Sequence, residues 1–543
     1  MPAATWTAPY FHDLQADLAD AEDRTDSLLF DLLLKQPISG DLDAVKRDLQ
    51  DVFGEAPDIT AQRFQCAGGL QGLVVFDSNL TNQQLLILGV LDRLTLCDLK
   101  PADAATGLLD RVSRMVAPTG TITTLGPSDS GARDGQMASV AEQVLTGAAV
   151  LFFQGHGAAL AVQLPQADKR SISEPKAAPV VMGPHEGFIV DADTNLTLVC
   201  RRLRTARLRV EQYRLGTLSR TNVYLLYVKG VCDDLMIAEV ERRLARVEVD
   251  TILESNMLME LIRDAPKSPV PTMLRSERPD RVAAALAQGQ FAIIVDGTPL
   301  ALIAPITFAS MLKSVEDYYQ NWMISTVIRG VRLSAFLLGV FLPAFYVAIV
   351  SYHPGFIPPL LLATLAASRE NVPLPALGEI LIIMLLFEII REASARIPSG
   401  IGSALTIGGT LVVGQAAVRA GLVSAPVIII TAAVIIAFFA IPAQDMVQFT
   451  RFLLYPELLA GGFLGIFGVL FVAFLLAYYL ASLRSFGRPF LDPVAPIRPA
   501  GWKDSVERAP LWAMDTRPPA TGFPNPMRQP PNRKPEPPDA GAA

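Results

Sequence analysis

In the stretch FEIIREASARIPSG, Phe387 to Gly400, four charged residues interrupt a region otherwise made of apolar side chains, serine and glycine: Glu388, Arg391, Glu392 and Arg396. At about 100° per residue these four fall within a third to a half turn of one another, and Ile383, Leu386 and Ile390 cover much of the rest. Glu392 and Arg396 have the acid-before-base order, four apart, that favours mutual neutralisation. A charge at membrane depth costs at least a few kcal/mol and turns toward protein or water. Four readings fit: a water-filled ion pathway, an ion-pair network packed between helices, a helix lying at headgroup level, or a face that docks a partner. Gln415 is a further polar group within an apolar run, and needs an interhelical hydrogen bond or water. Glycine is dense around both: Gly408, Gly409 and Gly414, then Gly461 and Gly465 in GxxxG spacing, which permits close approach of helices or subunits.

Other chemistry is missing. The sequence has no GxxxxGK[ST] loop, no GxGxxG after a strand, no HExxH and no GxSxG elbow, and the acidic pairs Asp233-Asp234 and Glu316-Asp317 read as helix-start charges. The chain is therefore expected not to be an enzyme and to carry no cofactor. Its four histidines are far apart and its four cysteines, Cys66, Cys97, Cys200 and Cys232, are scattered singly, so no metal site is expected and the thiols read as buried in a reducing compartment.

Composition changes sharply along the chain. Charged residues and short apolar runs extend to about Tyr319, whereas Val331 to Leu483 is mostly Leu, Ile, Val, Ala, Phe and Gly. The fold class expected is a soluble α/β amino-terminal region of two subdomains, residues 1–150 and 151–325, followed by an all-α multi-span transmembrane domain, 326–484. In the first subdomain, helical periodicity (DLDAVKRDLQDVF) alternates with strand-like runs (GLVVFDS), and GAAVLFFQGHGAALAVQL reads as a hairpin about Gly-His-Gly. In the second, TNVYLLYVKGV reads as a strand, DDLMIAEVERRLARV as a helix, and FAIIVDGTPLALIAP as two strands joined by Asp296-Gly297. Residues 485–543 are expected to form a cytoplasmic tail, largely disordered, because the stretch after Trp512 is too rich in proline to pack.

Four membrane spans are expected: Val331 to His353, then IGSALTIGGTLVVGQAAVRAG, SAPVIIITAAVIIAFFAIP and LLAGGFLGIFGVLFVAFLLAYYLASL. FIPPLLLATLAAS and LGEILIIMLLFEIIREASARIP read as re-entrant or interfacial. Basic residues flank both ends, Lys313, Arg329 and Arg332 before and Arg484, Arg488, Arg498 and Lys503 after, which puts both flanks in the cytoplasm and makes the number of crossings even. No secretory signal peptide is visible at the start of the sequence.

From Arg170 to about Met514 a succession of strings resembles the GerA-type spore germination family, specifically the A subunit of nutrient germinant receptors and its sporulation relatives. The strings are KRSISEPKAAPVVMGPHEGFIVDADTNLTLVCRRLRT, SPVPTMLRSERPD, SVEDYY, LPAFYVAIVSYHPGFIP, RENVPLP, REASARIP, VVGQAAVRAGLVS and FGRPFLDPVAP. The resemblance implies a multi-pass protein of the spore inner membrane with a cytoplasmic amino-terminal domain. It also implies a transporter-like B subunit and a lipoprotein C subunit as partners, a ring-like homo-oligomer in the lipid bilayer, and release of monovalent cations in response to nutrients. Arg391, Glu392, Arg396 and Pro398 fall in one family string and Gln415 in another. Met182 and His185 stand where the family usually has Arg. A non-conducting scaffold and a secondary transporter are the alternatives; the second is disfavoured because no internal repeat pairs the spans.

Overall fold

The computed structural model describes residues 33–395 and 414–535, apart from 55, 57, 98, 100–104, 118, 126–135, 165–174, 176–179, 181, 506, 519–526 and 531–533. These residues fall into two compact units. One comprises those up to Asp264, Arg275–Pro305 and from Met514 on; the other comprises Ala265–Leu274 and Ile306–Ala513.

The first unit holds two five-stranded sheets. Strands β1 (Ile59–Gln65), β2 (Gln71–Asp77), β3 (Ile122–Leu125), β4 (Ala148–Phe153) and β5 (Ala159–Gln163) pair in the order β1-β2-β4-β5-β3. The inner strands are apolar on both faces, because both faces are covered. Leu73, Val75, Val150 and Phe152 point to a core shared with helices α1 (Leu42–Phe53) and α3 (Gln136–Leu145). Their neighbours Val74, Phe76, Leu151 and Phe153 point to a second core with α2 (Ala105–Val116) and the helical run around Leu86–Leu91. The β4–β5 hairpin turns at Gly155, where φ is 80°, as the Gly-His-Gly pattern implies. It lies across the expected boundary at residue 150, since residues on either side of that position pair with β5.

The second sheet has the order β6-β7-β9-β10-β8, from Leu208–Leu215, Thr221–Val228, Phe291–Val295, Ala301–Ala304 and Leu274–Ser276. It is accompanied by helices α4 (Ala192–Cys200), α5 (Asp234–Leu244), α6 (Ser255–Ile262) and α7 (Pro279–Ala287). Asp233 caps α5 by accepting from Leu235 N, and Gly297, φ 90°, makes the turn between β9 and β10. Of the four thiols, Cys66, Cys200 and Cys232 are buried, as expected, whereas Cys97 is partly exposed.

The second unit is helical: α8 (Phe308–Leu312), α9 (Trp322–Tyr352), α10 (Pro359–Arg369), α11 (Ala376–Ala395), α12 (Ala425–Ala440), α13 (Gln444–Ser482) and α14 (Trp502–Ser505). Among the described residues two helices, α9 and α13, are long and apolar enough to cross a membrane, and α12 is a shorter apolar helix. The span expected at residues 401–421 lies mostly outside the described residues. Pro343 sits inside α9 without ending it.

α13 is not one rod. At Gly465 the backbone leaves helical geometry, φ 63° and ψ −150°. A Cβ placed on Gly461 would lie 3.1 Å from Val469, and one on Gly468 would lie 2.3 Å from the Ala460 carbonyl. Residues eight apart in a straight helix are separated by about 12 Å, so the two limbs, 444–464 and 466–482, fold back on each other.

The segment after α13 is ordered ahead of the proline-rich stretch that follows Trp512. Strands Arg484–Ser485 and Arg488–Pro489 form a small hairpin, Phe490 is fully buried with its ring edge-on to Phe308, and Ser485 Oγ donates to the Thr272 carbonyl. Proline dominates the composition of this region, but Phe486, Phe490, Ala509 and Met514 are buried and supply the anchors that proline-rich composition conceals.

Candidate functional site

The charged stripe lies on the last turns of α11, whose apolar positions Ile380, Met384 and Ile383 pack against its helical neighbours. Glu388 receives two guanidinium groups. Arg391, one turn along, donates from Nε at 3.2 Å and Nη2 at 3.0 Å. Arg451, on the first limb of α13, donates from Nε to Oε1 at 2.9 Å and from Nη2 to Oε2. Glu388 and Arg451 are three-quarters or more buried, while Arg391 is half exposed. Glu388, Ile389, Arg391, Glu392 and Ala393 line an open groove of about 480 Å³. The stripe is thus divided: Glu388 is turned into the bundle and neutralised there, and Arg391 and Glu392 are exposed. Arg396, Gly408 and Gly409 lie outside the described residues.

Gln415 is exposed, on a helical stretch at residues 414–419, and a Cβ on Gly414 would meet nothing within 4 Å. Gly414 therefore packs against nothing among the described residues. Gly461 and Gly465 do serve close packing, though in different ways. A Cβ on Gly461 would lie 2.6 Å from the Ala344 carbonyl of α9. Gly465 supplies the left-handed conformation of the fold-back. The carbonyls freed there are used, since Tyr352 Oη donates to Gly462 O at 2.7 Å and Phe463 O at 3.2 Å.

These contacts fix the direction of each helix. Gly339 faces Thr450, Ala344 faces Gly461 and Tyr352 reaches Gly462, so α9 and the first limb run parallel. Leu377 meets Gly462 while Glu388 meets Arg451, so α11 runs opposite to that limb. The second limb, folded back, runs opposite to α9.

Two further ionic clusters were not read from the sequence. Glu379, fully buried in the first turn of α11, accepts from Ser424 N and Oγ at 2.7 Å each and from Arg369 Nε at 3.1 Å, joining the end of α10 to the starts of α11 and α12. At the base of α9, Asp317 binds Arg329 at 3.1 Å and Arg332 at 2.7 Å, and Asp504 binds Arg329 at 3.1 Å, Lys313 at 3.2 Å and the Tyr318 hydroxyl at 2.9 Å. Burial pushes the Asp504 carboxyl up, but Lys313 and Arg329 outweigh it and hold the group below the usual carboxylate range. Glu316 and Asp317, which looked like helix-start charges, are in part just that: Asp317 completes a capping box with Ser314 while serving the network.

In the α/β unit, Met182 and His185 are exposed on either side of Gly183-Pro184. The Pro184 carbonyl accepts from Arg278 Nη2 at 3.0 Å, and Arg278, 2% exposed, pairs with Asp280 at 2.7 Å. Among the described residues no group of three or more His, Cys, Asp or Glu is placed to hold a metal ion.

Comparison with known proteins gives a consistent result. The profile of the family described as Bacillus/Clostridium GerA spore germination protein matches residues 47–520. Spore germination protein KA of Bacillus subtilis (strain 168) is 41% identical over 395 residues, 73% of this chain and 73% of its own. Spore germination protein GerLA of Bacillus cereus is 35% identical over 483 residues, 89% of this chain and 96% of its own. The uncharacterized membrane protein YfkQ of Bacillus subtilis (strain 168) is 35% identical over 483 residues, 89% of this chain and 92% of its own. A crystal structure of the N-terminal domain of the A subunit of the Bacillus megaterium spore germinant receptor GerK3 aligns with a TM-score of 0.39 at 26% identity, covering 50% of this chain and 98% of that one.

Proposed function

The chain belongs to the Bacillus/Clostridium GerA spore germination protein family, and from that premise we propose that it is the A subunit of a germinant receptor in the spore inner membrane, with its α/β region in the cytoplasm. It works with a transporter-like B subunit and a lipoprotein C subunit, assembles as a homo-oligomer, and mediates release of monovalent cations when nutrients are sensed. The observation that carries this reading is the helix arrangement. α9 and the first limb of α13 run one way and the second limb returns, which supports an even number of crossings with both flanks on one side. The exposed Arg391 and Glu392 line an open groove and are the part of the stripe that would face an ion path or a second copy.

A non-conducting scaffold is favoured by one specific observation: Glu388 is already neutralised by Arg391 and Arg451, as a packing network requires. Potassium efflux from liposomes containing the full-length protein separates the two. Conduction through this chain predicts that Glu392→Gln changes efflux while subunit assembly survives. An assembled oligomer whose efflux is absent, even with the B and C subunits present, leaves the scaffold.

A further inference from the structure

Glu457 lies in the first limb of α13 and is 0% exposed, and neither of its carboxyl oxygens has a hydrogen-bond partner among the described residues. It projects with Thr450 and Gly461, at positions seven before and four after, which fall about 20° and 40° from it around the helix. Thr450 and Gly461 meet α9 at Gly339 and at the Ala344 carbonyl, so Glu457 is held in the seam between α9 and this limb. The seam is tight, because even a methyl group at Gly461 would stand 2.6 Å from the Ala344 oxygen.

Among the described residues, the arginines of the surrounding helices are engaged by other carboxylates. On its own limb Arg451 is engaged with Glu388, and Asp445 and Tyr455 carry no positive charge. On α9 the ionisable groups are Arg329 and Arg332, bound to Asp317, and further along Tyr346, Tyr352 and the following His353. On α11, Glu379 is bonded to Arg369 and Ser424, Glu388 to its two arginines, and Arg391 and Glu392 are exposed. α12 has no ionisable side chain, and the second limb has only Tyr478 and Tyr479.

A bare carboxylate in such a seam is far costlier than a neutral acid that lacks one hydrogen bond. We propose that Glu457 is a proton-binding site of the helical unit: it holds a proton while α9 and the first limb are packed, and releases it when they separate. The step is one O–H bond formed or broken at a carboxyl oxygen, with the proton passing to or from water admitted to the opened seam. The packing of the two helices is therefore linked to pH, whether or not the chain conducts. The proposal rests on the helices lying in the bilayer, and not on cation release.

Full-length protein carrying isotope-labelled glutamate, in phosphatidylglycerol and phosphatidylethanolamine vesicles at neutral pH, is examined by infrared spectroscopy. The expected result is a protonated-carboxyl band that is lost in Glu457→Gln. Hydrogen exchange of residues 450–464 provides a second reading. Over the range in which the packed form keeps its proton and the separated form does not, opening rises about tenfold per pH unit in the wild type, beyond the intrinsic change in exchange chemistry. In Glu457→Gln that excess dependence is lost. If Gln at this position does not fold, the labelled wild-type band and its exchange profile stand alone as the test. A spectrum with only ionised glutamate, or an exchange profile without excess pH dependence in the wild type, overturns the proposal. Failure of potassium efflux in the same vesicles bears on conduction and leaves these readings unchanged.

Discussion

Arg451 on α13 grips Glu388 on α11 with two nitrogens along one edge of its guanidinium group, Nε and Nη2, although 63 positions separate them in the chain. The pair ties the charged stripe to the limb that packs on α9, and it does so where both groups are mostly withdrawn from solvent. Replacing Arg451 by Leu should destabilise the helical unit by roughly 1.5–3 kcal/mol, the range for a charge-assisted hydrogen bond. In a thermal-unfolding double-mutant cycle with Glu388→Gln the two losses should be strongly non-additive. Additive losses would show that the two groups are not coupled.

The base of α9 should fail in acid. Asp504 is held below the usual carboxylate range, so the stability it contributes is present above the ordinary carboxyl pKa and is lost as pH falls through the lower value it has in the folded chain. Asp504→Asn should cost roughly 3–5 kcal/mol at neutral pH, because it leaves Lys313 and part of Arg329 buried without a carboxylate. The deficit should shrink in strong acid. Protease cleavage within residues 499–513, measured against pH, reports it; a deficit independent of pH would assign the loss to packing instead.

The first sheet should respond in the opposite sense. Asp77 is pushed up to about 7, first by burial and then by the neighbouring Asp58 carboxylate. The folded state therefore favours the protonated form, and the contribution is present below the ordinary carboxyl range and lost as pH rises toward 7, at about 1.4 kcal/mol per pH unit. Asp77→Asn retains the oxygen that accepts from Asn79 N and Leu80 N but cannot titrate. Hydrogen exchange in β2 and β4 of that variant should lose the excess pH dependence seen in the wild type.

The fold-back makes a sharp steric prediction. Gly465→Ala must adopt φ 63° in a limb junction beside Tyr352 and His353, and should destabilise the helical unit by roughly 1–2 kcal/mol. Gly414→Ala, with open space around it, should fall within about 0.5 kcal/mol of wild type. Thermal unfolding in detergent compares them, and equal losses would refute the assigned geometry.

Where sequence reading succeeded, a local pattern carried the signal. Alternating residues reported the hairpin at Gly155, Asp296-Gly297 reported a turn, and Asp233 reported a helix start. Where it failed, the cause was nonlocal. Nothing near Glu388 names Arg451 as its partner, because that pairing exists only after two helices pack. Gly461 and Gly465 were legible as close-packing residues, but a GxxxG spacing cannot tell a contact between straight helices from a chain reversal. Glu457 was overlooked because a single acid next to Pro456 looks like the edge of an apolar span when helix limits are judged by hydropathy alone. In the carboxyl-terminal segment the anchors Phe486, Phe490 and Ala509 precede the proline-rich stretch after Trp512 on which the expectation of disorder rests, and much of that stretch lies outside the described residues.

The reversal at Gly465 also restricts how this chain can change in length. One limb begins at Gln444 and its return is secured by Ser485, which donates into the Thr272 carbonyl and accepts from Ile306 N. A single residue inserted in a limb would rotate everything beyond it by about 100° and advance it by about 1.5 Å, taking Arg451 from Glu388 or Gly461 from Ala344 in the first limb, and Ser485 from the Thr272 carbonyl after the second. Insertions and deletions should therefore be tolerated in the connecting loops, while the two limbs behave as a ruler of fixed length.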